Sequence, residues 1–172
     1  MDFDGAMCKY GVGIGIWIHI SVFEPNKVPS NVRICSYKLA FEYSNNEAEY
    51  EALIVGLKIL KKLNAKRISA YGDSDLIIKQ VKGEYQAKHP RMRAYRNVVL
   101  DTLRMFPEYK LTAVPHTQNV IADSLATAAS NLKILMNSNN VFKIHVKHRP
   151  AIPNNLRYWQ VFWDDKEINT FF

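Results

Sequence analysis

With 172 residues, 48% of them apolar and 23% charged, the chain is long enough for one domain with a real core. No run of about 18 apolar residues is present, so no membrane partner is expected; the start, MDFDGAM, lacks a basic region leading into an apolar one, so a cytoplasmic or nuclear, intracellular protein is expected. The net charge is +7, concentrated in Lys58, Lys61, Lys62, Lys66 and Arg67, and again in Lys79, Lys82, Lys88, Arg91, Arg93 and Arg96, which points to a polyanionic partner. Cys8 and Cys35 are far apart and lack metal-ligand spacing, so they read as small buried thiols in strands.

In chain order, Asp2 to Lys9 reads as a first strand, with a turn at Tyr10-Gly11 and a strongly apolar second strand from Gly13 to Phe23. Two prolines make Glu24 to Ser30 a loop, and Asn31 to Phe41 is a third strand, which completes an antiparallel meander. Ser44 to Leu63 is a long amphipathic helix opened by a capping box, Ser44 with Glu47, and stopped near Asn64. At about 100° per residue, Leu53, Gly56 and Leu60 lie within about 40° of Glu49, so Glu49 faces the core while Glu47 and Glu51 point to water. A carboxylate on a buried face is costly unless compensated, so Glu49 is a candidate metal ligand; the alternative is that it borders the stripe and reaches solvent.

Arg67 to Tyr71 is a fourth strand, and Gly72-Asp73-Ser74 opens a helix that Gly83 ends. Pro90 to Phe106 is helical, Tyr109 to Val114 is a fifth strand, and Asn119 to Leu132 is a last helix with a face of Ala122, Ala126 and Ala129. This order predicts an α/β domain, a mixed sheet with helices on its faces, over residues 1–131. Residues 132–172 form an extension that cannot close a core of its own. Val141 to Val146 alternates like a strand, and Tyr158, Trp159, Phe162 and Trp163 are too apolar for a free tail.

Asp4, Glu49, Asp73 and Asp123 occupy places where connections meet strands or helices. If the first and fourth strands are parallel neighbours, Asp4 and Asp73 converge, and two helix starts can bring in Glu49 and Asp123. Singly, each has a plain reading: turn chemistry at Asp4-Gly5, a helix cap at Asp73-Ser74, and helix-dipole complementarity at Asp123. Together they repel unless cations lie between them, and oxygen-only ligation selects magnesium or manganese. Two such ions about 3.5–4 Å apart suit an in-line phosphoryl displacement.

The local sequences around these acids are FDGA (Phe3–Ala6), GVGIGI (Gly11–Ile16), NNEAEYEAL (Asn45–Leu53), YGDSDLIIKQVKGEY (Tyr71–Tyr85), KHPRMRAYR (Lys88–Arg96) and PHTQNVIADSLATAAS (Pro115–Ser130). In this order the chain resembles type 1 ribonuclease H, and most closely the ribonuclease-H-like domain of plant gypsy-type retrotransposon polyproteins. The resemblance implies a five-stranded mixed sheet of order 3-2-1-4-5, its first three strands antiparallel, flanked by helices. It implies endonucleolytic hydrolysis of the RNA strand of an RNA–DNA hybrid, leaving 3′-hydroxyl and 5′-phosphate ends. Two Mg2+ ions, or Mn2+ in their place, would be held by Asp4, Glu49, Asp73 and Asp123.

The same resemblance gives His116 a role in proton transfer and product release. It also has Asn45 and Asn46 contact the hybrid's minor groove, and the basic residues from Lys79 to Arg96 grip phosphates of the DNA strand. Asp75 departs from the Gln that bacterial members often carry. The start three residues before Asp4 reads as a truncated fragment or a stand-alone gene derived from an element. Lys143 to Phe162 resembles the connector toward integrase in polyproteins that also carry reverse transcriptase. A catalytically inactive, truncated nucleic-acid-binding remnant is the alternative reading.

Overall fold

The computed structural model describes residues 1–20, 31–39, 43–132, 146–147 and 151–152. Its elements are β1 (Asp2–Cys8), β2 (Gly11–Ile20), β3 (Asn31–Leu39), α1 (Asn45–Lys62), β4 (Arg67–Gly72), α2 (Asp75–Lys82), α3 (Pro90–Leu103), β5 (Glu108–Ala113), α4 (Val120–Asn131) and a two-residue β6 (Val146–Lys147). The sheet order is β5-β4-β1-β2-β3-β6. Its first five strands keep the expected 3-2-1-4-5 order, with β1–β2–β3 antiparallel and β1–β4–β5 parallel. The sixth strand, parallel to the outer edge of β3, comes from the end of the segment expected to alternate like a strand. The loop from 24 to 30, the ends expected for the second and third strands and the aromatic cluster Tyr158–Trp163 lie outside the described residues.

Alternation on β2 decides the layers. Val12, Ile14, Ile16 and Ile18 are buried under α1 with Phe3, Leu53, Leu57 and Leu60. Each such side chain contributes about 1.5–3 kcal/mol by leaving water. The opposite face of β2 carries Gly13 and Gly15, and α4 packs on it through Ala122, Ala126 and Ala129. A Cβ on Gly15 would lie 2.6 Å from Ala126 N, so the helix sits on bare strand backbone. Local signals hold as expected: Ser44 and Glu47 form the capping box, and Gly83 closes α2 in the left-handed region at φ 79°.

The orientation expected for Glu47 and Glu51 is corrected. Glu51 is fully buried and Glu47 is mostly covered, because α3 forms a further layer over the side of α1 turned away from the sheet. Helical phase gives an angle and says nothing of what another element places there. Tyr95 donates its hydroxyl to Glu51 Oε1 at 3.0 Å, and the Ala151 amide donates to the same oxygen. Arg91 pairs with Glu47 and also donates to the Ile152 carbonyl at 3.4 Å, while Ile152 itself is 4% exposed in the core. Part of the extension therefore docks on α1 and α3. Cys8 and Cys35 do lie in strands but are half-buried.

Candidate metal centre

Parallel pairing places Asp2 beside Tyr71, so Asp4 on β1 and Asp73, just past the end of β4, come to the same end of the sheet. Gly5 brings in the third acid. A Cβ there would lie 2.6 Å from Glu49 N, so its absence lets the first turns of α1 rest on β1. Carboxylate oxygens of Asp4, Glu49 and Asp73 consequently lie within 4.8 Å of one another.

Burial raises the Asp4 carboxyl to about 6, with the Asp73 charge adding to it. Glu49 goes further, to about 9, through burial first and the charges of Asp4 and Asp73 after it. Glu49 Oε2 is buried with no hydrogen-bond partner. An all-oxygen donor set, mutual repulsion and an orphaned carboxylate oxygen together fit a hard divalent cation, magnesium or manganese.

Asp123 stands outside this trio. It lies on α4 at the rim, its side chain 34% exposed, and His116 links it to the others. His116 Nδ1 is 2.7 Å from Asp73 Oδ2, and Nε2 is 4.0 Å from Asp123 Oδ2. The bond to Asp73 raises the pKa of the exposed imidazole, helped by the Asp123 charge. Asn45 and Asn46 open α1 one turn before Glu49 and on the same side of the helix, exposed and half-buried respectively.

The basic cluster is partly structural. Arg91 is engaged by Glu47, Arg93 is 7% exposed, and Lys79 pairs with Asp75 at 2.8 Å. Lys82 and Lys88 remain on the surface. Asn119, which reads in the sequence only as a helix start, is buried with its amide against Asp73. Its position four residues before Asp123 is the one signal that could have drawn attention to it.

The two raised carboxyls give a testable pH dependence. Above the ordinary carboxyl range the folded protein holds protons that the unfolded chain has released, so stability without metal falls as pH rises. For Glu49 the window runs from its ordinary 4.5 to about 9. His116 has the same sign, because the contribution of a raised imidazole is lost as pH rises through its folded pKa. Divalent cations bind the deprotonated carboxylates. Melting in EDTA should therefore occur at lower temperature as pH rises through this window, and the increase produced by Mg2+ should grow with pH. An Mg2+ effect of equal size at both ends of the window would contradict the assignment.

The family model described as Reverse transcriptase-like matches residues 30–129. The chain belongs to this reverse-transcriptase-like family. Its relatives include ribonucleases H. Ribonuclease HI of Halobacterium salinarum is 36% identical over 86 residues, which is 50% of this chain and 43% of that protein. The crystal structure of RNase H1 from the same archaeon has a TM-score of 0.65 at 27% identity, covering 74% of this chain and 93% of that one. LC11-RNase H1, solved in complex with an RNA/DNA hybrid, has a TM-score of 0.61 at 26% identity, covering 76% of this chain and 94% of that one. The sequence match thus spans less than half of the curated ribonuclease HI. No helix among the described residues of this reverse-transcriptase-like chain is long and apolar enough to cross a membrane.

Proposed function

We propose that this protein hydrolyses the RNA strand of RNA–DNA hybrids endonucleolytically, leaving 3′-hydroxyl and 5′-phosphate ends. The convergence of Asp4, Glu49 and Asp73 within 4.8 Å carries this reading. The ribonuclease H relatives and the hybrid held by LC11-RNase H1 support it. The quoted motifs favour descent from the ribonuclease-H-like domain of a plant gypsy-type polyprotein, with residues 1–131 as the catalytic unit and 132–172 as its extension.

In this reading Asp4, Glu49 and Asp73 hold magnesium, with Asp123 completing the set from the rim. Bound divalent cations would supply an activated water and stabilisation for the departing 3′ oxygen. Asp4 is buried and Glu49 Oε2 has no hydrogen-bond partner, so that oxygen is free to bind a cation. His116, held through Nδ1 by Asp73, turns Nε2 toward Asp123, where it can take up or return a proton at the leaving end. Asn45 and Asn46 meet the 2′-hydroxyls in the minor groove, which distinguish RNA from DNA. Exposed Lys82 and Lys88 meet phosphates of the DNA strand.

The direct test incubates the full chain with Mg2+ and a hybrid labelled on each strand in turn. Cleavage of RNA alone, with products that a polymerase can extend, is expected. Hybrid bound but uncut would instead identify a non-catalytic binding domain, and cleavage of duplex DNA with the hybrid spared would identify a DNA nuclease of this fold.

A further inference from the structure

Asn119 is 1% exposed and stands at the N-cap position of α4, yet its side chain makes no capping bond to that helix. Its Nδ2 donates instead to the Phe3 carbonyl at 3.0 Å and to Asp73 Oδ1 at 3.3 Å. A carbonyl and a carboxylate only accept, so the amide has to turn its nitrogen toward them. The other end, Oδ1, is buried with no hydrogen-bond partner. An unpaired buried acceptor is unfavourable, and a smaller apolar residue would avoid it. The side chain therefore earns its place through its two N–H groups.

Those N–H groups join three elements at the carboxylates. One reaches the carbonyl just before Asp4 on β1, the other reaches Asp73 beyond β4, and the backbone carbonyl of Asn119 accepts from the Asp123 amide of α4 at 3.0 Å. His116 holds the second Asp73 oxygen, Oδ2, at 2.7 Å. With both oxygens held, rotation of the Asp73 carboxylate is restrained from opposite sides.

We propose that Asn119 is a positioning residue for the cation site, fixing the rotation of the Asp73 carboxylate and its separation from Asp4. The inference rests on reading the trio as a divalent-cation site. Groups that orient a ligand in this way typically change metal affinity by about 10–100-fold when removed.

The test is titration of the full chain with Mn2+, read by calorimetry and by electron paramagnetic resonance, independently of cleavage. Asn119→Ala should weaken Mn2+ binding by about 10–100-fold. It should raise the Mn2+ concentration for half-maximal hybrid cleavage by the same factor, with KM for the hybrid unchanged. Val99→Ala, a core truncation on α3, controls for stability: it should lower the melting temperature and leave Mn2+ affinity where it was. Should Asn119→Ala fail to fold, Asn119→Ser, whose hydroxyl cannot reach both acceptors, is read in the same way. Wild-type Mn2+ affinity in either folded variant overturns the inference alone. A wild-type chain that binds no Mn2+ overturns the cation-site reading and this inference with it.

Discussion

Asp73→Asn should reduce hybrid cleavage by more than about 100-fold, beyond the loss typical of a group that merely orients a ligand. The substitution keeps the shape of the side chain, and its NH2 can still face the solvent side of the site. What it removes is one of three carboxyl groups whose oxygens lie within 4.8 Å of one another, and with it a charge that the cations would balance. The same loss of charge should make the metal-free protein more stable, because Asp73 is a source of repulsion on both Asp4 and Glu49. Lower activity with a higher metal-free melting temperature is hard to obtain from simple damage to the fold. Hybrid binding should largely persist, since the asparagines of α1 and the surface lysines are untouched. Cleavage assays, melts in EDTA and hybrid binding on one preparation check all three. Activity within tenfold of wild type would remove Asp73 from the metal centre.

Gly5→Ala should cost stability and function together. Its Cβ would lie 2.6 Å from Glu49 N and 2.8 Å from Ala48 Cβ, with backbone on the receiving side. Overpacking costs roughly 1–3 kcal/mol where side chains can adjust, so a clash against backbone belongs at the top of that range. About 3 kcal/mol corresponds to a melting temperature about 6–12 °C lower for a domain of this size. Relief requires α1 to lift from β1, which carries Glu49 away from Asp4. The Mg2+-induced rise in melting temperature should then shrink along with cleavage. If the variant keeps the full Mg2+ effect, close approach of α1 to β1 is not what places Glu49.

Some of the site was legible residue by residue. Glu49 stood out because a charge shared a helical stripe with Leu53, Gly56 and Leu60, and the structure does bring it to Asp4. The capping box at Ser44 and the left-handed Gly83 are local devices, decided within a few residues, and both are present. Glu51 was misread because its partners, Tyr95 and Ala151, lie 44 and 100 residues away. Arg91 and Arg93 were read as surface charge for a related reason: a basic run in sequence does not say which members a neighbouring helix or the extension will cover. Asp123 was grouped with Asp4, Glu49 and Asp73, but it lies at the rim, outside the tight trio and 4.0 Å from His116 Nε2.

The amino-acid sequence alone determined the main elements and a mixed sheet with helices on its faces, because alternation, helical stripes and turn residues act over short separations; the order of the five main strands followed from the resemblance that the motifs carry. The sequence also determined which acids were candidates. The tertiary structure decided their distances, through a parallel register between β1 and β4 and a missing Cβ at Gly5. It alone decided that Glu51 is buried and that Asn119 holds Asp73. Such contacts join residues far apart in the chain, and their strength depends on geometry that no local pattern carries.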